Sequence, residues 1–249
     1  MKQQLEHIVN NFRAITLGEM DSVSLMKRTD TKFVIHEKDL ISVLKEVKDE
    51  YRILEIDNQR ILTYSSLYFD TPSKKFYHDH HNRKVNRTKI RMRKYLVSNK
   101  CYLEIKQKDG KGNTNKTRIP VEDFEPDLSK KSLEFIQNTT KQNFDLEPII
   151  WNQFNRMMLV NTKAKERLTI DIDLSFKQNS SKKAYKNLVI IEVKQQRFDR
   201  TSPIVQKLKQ RQINPYKISK YCIGMLSIYK GLKYNRFKKK LIKINKITA

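Results

Sequence analysis

Cationic and apolar side chains alternate along residues 87–95 (RTKIRMRKY). If this segment is a β-strand, successive side chains point to opposite faces. Lys89, Arg91 and Arg93 then share one face, and Ile90 lies on the other. Neighbouring cations on that face would be about 7 Å apart and would repel each other. Such a row suits either a water-exposed sheet face or a surface that binds an anion.

The same alternation recurs in other segments that have the pattern of strands. Each has one apolar face and one ionic face, and the ionic faces carry carboxylates as well as cations. The residues on these ionic faces, segment by segment, are Arg28, Asp30 and Lys32; Tyr102, Glu104, Lys106 and Lys108; Phe154 and Arg156; Arg167, Thr169, Asp171 and Asp173; and Glu192 and Lys194. This recurrence favours ionic faces that meet across a strongly curved or closed sheet, whose polar interior would bind a polar ligand.

The residue types on these faces suit a phosphate chain accompanied by a divalent metal. Arginine binds phosphate through a two-pronged fork, lysine supplies a point charge, and carboxylates hold hard metal ions. Phosphoryl transfer depends mainly on positioning and charge neutralisation, so it requires no catalytic triad, and none is evident. His78, His80 and His81 have the spacing HxHH. A metal site is one interpretation of them, and the end of a polar helix is the simpler one.

Periodicity and capping residues predict the elements that position these side chains. Apolar spacing predicts a helix over 37–49, and Asp70-Thr71-Pro72 suits the start of a helix over 73–82. Ser219 precedes an apolar run and suits the N-cap of a later helix. Turn chemistry at 108–112 (KDGKG) predicts a hairpin. The order of elements predicts an α+β fold with a large antiparallel sheet.

Composition narrows the class of protein. The 249 residues include 52 Lys and Arg against 27 Asp and Glu, a net charge of +25. This charge predicts an anionic partner: nucleic acid, an anionic membrane surface or a phosphate-rich molecule. No apolar run approaches the roughly 20 residues of a membrane helix, and the first residues lack a signal-peptide pattern. Cys101 and Cys222 are far apart, which argues against a disulfide framework or a zinc ribbon, so we expect a cytoplasmic location.

The order of seven segments resembles the VTC domain, the catalytic domain of the vacuolar transporter chaperone polyphosphate polymerase, among the triphosphate tunnel metalloenzymes. The segments are KRTDTKFVI, YSSLYFDT, KIRMRKY, YLEIKQK, ERLTIDIDL, IIEVK and YKISKY, and they lie within about residues 20–230. The resemblance implies an antiparallel β-barrel tunnel with helices packed outside. We expect one such domain over 1–230, beginning with an N-terminal helix within 1–20, and a basic tail over 231–249.

The resemblance also implies a reaction and its residues. The family transfers the γ-phosphoryl group of ATP to a growing polyphosphate chain with a divalent metal, Mn²⁺ or Mg²⁺. By motif match, Glu192 is the implied metal ligand, and Glu104 is the next candidate. The residues implied to bind phosphate are Lys32, Arg91, Arg93, Lys106, Arg156, Arg167, Lys217, Ser219 and Lys220.

Two departures from the family pattern bear on function. Phe154 stands where the family commonly has Tyr, so one hydroxyl contact is missing. The first strand reads RTDTK (28–32) instead of the ExExK of the triphosphatase and adenylate-cyclase branch, which favours the polymerase branch.

Three functions remain open. A polyphosphate polymerase is favoured, a tunnel-fold tripolyphosphatase or nucleoside triphosphatase would use the same cations, and a nonenzymatic protein could bind polyphosphate or RNA through charge alone. Neither an RNP-like aromatic pair nor helix-turn-helix spacing supports specific nucleic-acid binding. The basic tail suits a solvated end or a peripheral contact with an anionic membrane.

Overall fold

The computed structural model describes residues 2–21, 28–111 and 113–248. The sequence predicts a strand over 24–36 and a hairpin at 108–112; residues 24–27 of the former and Gly112 of the latter lie outside these ranges. The helices described are α1 (Lys2–Asn10), α2 (Leu17–Asp21), α3 (Glu37–Val47), α4 (Lys75–His81), α5 (Lys130–Thr140), α6 (Pro203–Gln210), α7 (Lys220–Ile228) and α8 (Lys238–Thr248), with a 3-10 turn at Asn235–Phe237. The strands are β1 (Arg13–Ile15), β2 (Thr29–His36), β3 (Arg52–Leu54), β4 (Leu62–Asp70), β5 (Arg87–Tyr95), β6 (Lys100–Lys108), β7 (Thr114–Val121), β8 (Glu147–Asn161), β9 (Glu166–Gln178), β10 (Ser181–Tyr185) and β11 (Leu188–Gln195).

One large sheet organises the chain. Its main path is β2-β11-β9-β8-β4-β5-β6-β7, and every neighbouring pair along that path is antiparallel. The short strands β1, β3 and β10 attach beside this path. The predicted α+β fold with a large antiparallel sheet is therefore confirmed.

Helices cover the apolar outer face of the sheet in two groups. α1, α3 and α6 pack on β2, β8, β9 and β11 through a cluster that includes Leu44 and Ile191. α4 and α5 pack on β4, β5 and β6 through a second cluster that includes Phe76, Ile90 and Ile136. Each fully buried aliphatic or aromatic side chain contributes about 1.5–3 kcal/mol. The opposite, ionic faces of the same strands are left to line the inside of the curved sheet.

α7 and α8 close one end of the barrel over a third apolar cluster. A Cβ added at Gly224 of α7 would lie 2.5 Å from the ring of Phe176 in β9. The helix therefore approaches the sheet as closely as a glycine permits. The hydroxyl of Tyr221 also donates to the buried carboxylate of Asp70 at the end of β4. These contacts fix the start of α7 relative to the strands.

Helix α4 begins later than the sequence predicts. The predicted start was Asp70-Thr71-Pro72, but the first helical residue is Lys75. The carboxylate of Asp70 accepts hydrogen bonds from the amides of Phe76 (2.8 Å) and Tyr77 (3.0 Å), which lie beyond the intervening turn. Asp70 therefore satisfies the free amides of the helix across a loop that the sequence pattern had assigned to the helix itself.

The sheet curls without closing completely. Within the described ranges, the outer strands of the path, β2 and β7, do not pair with each other. The free edge of β2 is instead covered by a later segment, because the amide of Tyr216 donates to the carbonyl of Lys32 (2.6 Å). The predicted barrel is confirmed in this open form. None of the described helices has both the length and the apolar content needed to cross a membrane.

Residues 231–249, predicted to be a basic tail, contain ordered structure. The 3-10 turn and α8 fall within this span, and Phe237 and Ile244 are buried against the third apolar cluster. The boundary of the domain at residue 230 stays a prediction.

Candidate functional site

The ionic faces of the strands converge inside the barrel around two aromatic rings. Tyr64 of β4 and Phe154 of β8 stack with their centroids 5.4 Å apart. The guanidinium of Arg156 lies 5.1 Å from both ring centroids, and that of Arg93 lies 5.7 Å from Tyr64 and 5.5 Å from Phe154. The ammonium of Lys220 lies 3.7 Å from the Phe154 centroid. Three cations from β5, β8 and α7 therefore meet over one aromatic surface.

Arg93 is the most deeply buried cation of this group, with 6% of its surface exposed. Its guanidinium donates to the hydroxyl of Ser66 (3.1 Å), and no carboxylate of the described residues pairs with it. Burial and the nearby charges of Arg91 and Arg156 lower its pKa to about 10. A buried cation that has only a neutral partner is costly to the fold. Such a group is well suited to accept an anionic ligand.

Arg156, Asp171 and Lys220 form a buried charged triad. The Nε and Nη2 atoms of Arg156 donate to the two carboxylate oxygens of Asp171, at 2.5 and 2.8 Å. Lys220 donates to the second of these oxygens, Oδ2. Burial would raise the pKa of Asp171, but Arg156 and Lys220 hold it below its ordinary value. Burial lowers the pKa of Lys220 to about 7, although Asp171 opposes the shift. The charge on Lys220 is therefore sensitive to pH near neutrality.

A second buried carboxylate, Glu104 of β6, is shared by two cations. Arg91 pairs with it at 2.7 Å, and Lys116 of β7 pairs with its other oxygen. Arg91 also donates to the hydroxyl of Tyr68 (3.2 Å). Burial opposes ionisation of Glu104, but its cations, Arg91 first, lower its pKa to about 2. The carboxylate is therefore ionised and already neutralised.

The third interior carboxylate, Glu192 of β11, lies directly opposite Lys32 of β2 in the strand register. Lys32 binds one of its oxygens, and Lys194 lies 3.9 Å from the other. These lysines overcome burial and lower the pKa of Glu192 to about 2. Burial lowers the pKa of Lys194 to about 8. Lys106 of β6 lies at this side, and its side chain is exposed. Its pKa is lowered mainly by the removal of part of its hydration shell and, to a smaller extent, by the nearby charge of Lys32.

Lys89 and Ser219 connect β5 to the start of α7. The ammonium of Lys89 donates to the hydroxyl of Ser219 (3.1 Å), and burial lowers its pKa to about 8. The same hydroxyl accepts from the amide of Cys222 (3.4 Å), so the predicted N-cap role of Ser219 is confirmed. Free amides and the positive end of the helix dipole favour an anion beside such a terminus.

Most of the sequence-predicted site residues are brought together in this interior, but two are not. Lys217 is exposed and precedes α7 in a segment that is not helical, so it does not share the helix of Lys220. Arg167 shares the face of β9 that carries Asp171, but its guanidinium turns away from the other cations and donates to the carbonyl of Met20 in α2. Its role in phosphate binding stays a prediction.

Several interior residues were not assigned to the site from sequence. They are Lys89, Lys116, Asp171 and Lys194, together with the hydroxyl-bearing Ser66 and Tyr68. Lys89, Asp171 and Lys194 do lie on the predicted ionic faces, so strict alternation could have found them. Lys116 and the β4 residues gave no comparable signal.

The carboxylates do not form a metal cage of their own. No group of three or more His, Cys, Asp or Glu side chains in the described ranges is arranged to hold a metal ion. Glu104 and Glu192 are instead each paired with cations. Mg²⁺-type ions are commonly bound by one or two carboxylates together with substrate phosphates. The interior therefore fits a metal ion that arrives with a phosphate ligand, and it does not fit a resident metal bound by protein alone.

The interior has a strong excess of positive charge. Lys32, Lys89, Arg91, Arg93, Lys106, Lys116, Arg156, Lys194 and Lys220 outnumber the three interior carboxylates, Glu104, Asp171 and Glu192. In a curved, partly dehydrated cavity this excess is screened less than on an open surface. The arrangement can therefore hold several phosphate groups at once.

The chain was compared with protein families, curated proteins and solved structures. The sequence profile of the VTC domain matches residues 27–229. No curated protein matches the chain at a significant level. A solved structure from Hippeastrum, the adenylyl cyclase candidate HpAC1 with dominant triphosphatase activity, aligns with 14% identity and a TM-score of 0.52 over 84% of this chain and 99% of that chain. An adenylate cyclase candidate from Vibrio parahaemolyticus aligns with 11% identity and a TM-score of 0.47 over 79% and 96% of the respective chains.

The profile match and the resemblance noted from sequence rest on the same strands. The match spans most of the chain and includes β2 to β11 with α7, the elements that carry the interior cations. The likeness to HpAC1 extends over almost all of that protein and supports the same fold. The chain belongs to the VTC domain family.

Proposed function

We propose that this protein is a polyphosphate polymerase that transfers the γ-phosphoryl group of ATP to a polyphosphate chain inside the barrel. The observation that carries the proposal is the excess of interior cations in a member of the VTC family. ATP and polyphosphate are both phosphate chains, and one set of cations can bind either of them in the same geometry.

Arg93 and Lys106 are the cations best prepared to meet the substrate. Arg93 is buried beside a hydroxyl, and Lys106 is exposed at the opposite side of the interior. Neither must break an ion pair of the described residues before it binds a phosphate oxygen. Each charge-assisted hydrogen bond of this kind contributes about 1.5–3 kcal/mol. They would orient the triphosphate, and the paired cations would strengthen their contacts as charge develops in the transition state.

The triad of Arg156, Asp171 and Lys220 would supply charge that can be redistributed. When a phosphate group approaches, Lys220 can turn from Asp171 to the phosphate while Arg156 keeps Asp171 neutralised. The cost of leaving a buried carboxylate without a partner is thereby avoided.

Glu192 would hold a Mn²⁺ or Mg²⁺ ion that enters with the triphosphate. When bound, such an ion supplies additional shielding of negative charge on the phosphate oxygens. For Glu192 to act as a ligand, Lys32 must release it and bind phosphate instead. The change Glu192→Gln should remove metal-dependent turnover while tripolyphosphate binding without metal is retained. Unchanged activity across a Mn²⁺ titration would contradict this role.

A triphosphatase is the second candidate. HpAC1, the similar structure from Hippeastrum, has a dominant triphosphatase activity. Hydrolysis and polymerisation differ only in whether water or a chain-end phosphate is the acceptor, and the same cations serve both. A nonenzymatic binder of polyphosphate or RNA is the third candidate.

One assay separates the three functions. Purified protein is incubated with ATP and Mn²⁺, and the products are resolved on a gel together with a measurement of released orthophosphate. Long phosphate chains support the polymerase, and orthophosphate alone identifies a hydrolase. Absence of turnover, with tight binding of tripolyphosphate, identifies a binder. The variant Arg93→Met serves as the site control and should abolish any turnover that occurs in the barrel.

A further inference from the structure

Helix α8, which lies beyond the matched residues 27–229, is fixed to the barrel by its apolar side. Ile244 of the helix and Phe237, just before it, are buried in the third apolar cluster. The hydroxyl of Tyr216 donates to the backbone carbonyl of Lys239 (3.3 Å) and holds the first turn. The helix therefore has a defined orientation, with one side on the barrel and the other turned to solvent.

The side of α8 that is turned to solvent has an apolar side chain at its centre. Its exposed residues, which we call the outer face of α8, are Lys238, Lys239, Ile242, Asn245 and Lys246. Residues three and four apart are neighbours on a helix, so the three lysines and the asparagine surround Ile242. The side chain of Ile242 is 47% exposed. A helix that only covers the barrel would carry polar residues at the centre of its solvent side.

The lysines of the outer face have no acidic partner. In the part of the chain that the structure describes, none of the three forms an ion pair. The strands that α8 packs against, β2 and β11, each carry one acid, and both acids are paired with cations: Asp30 with Arg28 (2.9 Å) and Glu192 with Lys32. The sequence over 200–249 contains no Asp or Glu. The positive charge around Ile242 is therefore uncompensated.

An apolar side chain surrounded by uncompensated lysines fits the surface of an anionic membrane. Each lysine near such a surface gains about 1 kcal/mol from the anionic lipids, and an apolar side chain gains when it enters the headgroup region. Soluble polyphosphate would use the lysines but has no use for Ile242. The outer face also carries no aromatic ring on which a nucleic-acid base could stack.

We propose that the outer face of α8 binds the surface of an anionic membrane and attaches the barrel to it peripherally. A lipid surface needs no complementary shape, which suits one isolated helix face. The outer face lies on the opposite side of α8 from Ile244 and the barrel, so a membrane there leaves the interior cations accessible. The proposal goes beyond the proposed function and does not depend on it.

The test measures co-sedimentation of the full-length chain with two kinds of vesicle. One kind is phosphatidylcholine alone, and the other contains about one third phosphatidylglycerol. The variant Ile242→Gln removes the apolar centre without a change in charge and keeps a side chain that suits a helix. A second variant, Lys238→Gln with Lys239→Gln and Lys246→Gln, removes the surrounding charges.

Each variant has a matched control elsewhere on the surface. Leu133→Gln changes an apolar side chain of α5 that is 46% exposed. Lys45→Gln with Lys130→Gln and Lys131→Gln removes three exposed lysines from α3 and α5. Variant and control have the same net charge, so the general attraction of a basic protein to anionic lipid is equal within each pair. Melting curves verify that all of the proteins are folded.

We expect the wild type to bind the anionic vesicles and not the neutral ones. Ile242→Gln should lose about threefold or more in vesicle affinity and the lysine variant about tenfold or more, whereas both controls should bind as the wild type does. Calorimetry with long polyphosphate should show no change for Ile242→Gln.

Vesicle binding of Ile242→Gln at the wild-type level overturns the proposal, as does an equal loss in Leu133→Gln. If Ile242→Gln keeps its vesicle affinity while the lysine variant loses polyphosphate affinity, the outer face binds a soluble polyanion and the proposal is wrong. Failure of the wild type to bind anionic vesicles also overturns it and leaves an acidic protein as the occupant of this face.

Discussion

At the scale of single residues, the interior contains two kinds of cation. Arg156 is paired with the carboxylate of Asp171, whereas Arg93 has the hydroxyl of Ser66 as its partner. Removing one member of a buried ion pair lowers the stability of the folded protein, because the other charge is left without a partner. A buried charge that has no carboxylate partner lowers the stability even before any substitution. The two arginines should therefore respond in opposite ways to replacement by an apolar side chain.

The first prediction concerns Arg93→Met. We expect this change to weaken tripolyphosphate binding by about 1.5–3 kcal/mol, because one charge-assisted contact is lost. The free energy of unfolding should stay constant or increase. Arg156→Met is the comparison, and it should lower the free energy of unfolding by about 3 kcal/mol because Asp171 keeps only Lys220. Calorimetry and denaturant unfolding measure the two quantities. A destabilised Arg93→Met with normal affinity would show that Arg93 has a structural role.

The second prediction concerns pH and Lys220. Its pKa of about 7 lies below the ordinary value, so the ammonium loses its proton as the pH rises through neutrality. Phosphate binds the protonated form, and affinity for tripolyphosphate should therefore fall between about pH 6 and pH 8. The ligand also titrates in this range, so Lys220→Arg, which stays charged, provides the reference curve. Identical pH profiles for the wild type and Lys220→Arg would contradict the prediction.

At the scale of elements, α7 positions the site by its close approach to β9. Gly224 faces the ring of Phe176, and Lys220 and Ser219 lie one turn earlier on the same helix. A displacement of α7 would therefore move the cation and the N-cap away from Asp171 and Lys89. We therefore expect stability and phosphate binding to depend together on the packing of α7.

The third prediction follows from that contact. Gly224→Ala would place a Cβ 2.5 Å from the Phe176 ring. We expect overpacking to lower the free energy of unfolding by about 1–3 kcal/mol and tripolyphosphate affinity to fall with it. Gly18→Ala in α2 is the matched control, since an added Cβ there meets nothing within 4 Å. The control should be neutral or slightly stabilising. A Gly224→Ala protein as stable as the wild type would indicate that α7 is free to shift.

The elements also show which parts of the fold and of the candidate site could be predicted from the sequence. Alternation correctly assigned the faces of β5, β6 and β11, and that of β9 as far as Ile172, because apolar residues on one face had to meet the covering helices. At Asp173 the φ of +54° breaks the alternation, so Leu174 packs in the cluster under α7 instead, and Asp173 is exposed. The pairing of Asp171 with Lys220 could not be predicted, because it depends on how α7 docks across the end of the barrel. Lys217 and Lys220 fall in one motif, yet the irregular backbone at 217–219 separates them. The packed helix over 238–248 was not predicted, because its many lysines are typical of a solvated tail.

At the scale of the whole molecule, the net charge of +25 affects both stability and binding. Self-repulsion among like charges destabilises the compact state. The interior adds to this repulsion, because its cations are concentrated around few carboxylates. A polyanion that binds the folded state should relieve the repulsion and raise the melting temperature by mass action.

The fourth prediction uses salt to separate these effects. An increase in KCl from about 0.1 M to about 1 M shortens the Debye length from about 10 Å to about 3 Å. The melting temperature of the free protein should rise, because the repulsion is screened. Affinity for long polyphosphate should fall steeply, because counterion release into concentrated salt gains less free energy. Differential scanning fluorimetry and calorimetry measure the two trends. A charge-reduced variant, Lys45→Glu with Lys130→Glu, should melt higher than the wild type at low salt and respond less to KCl. If the melting temperature of the free protein falls with salt instead, attractive surface ion pairs outweigh the repulsion, and the excess charge is not what limits the stability of the fold.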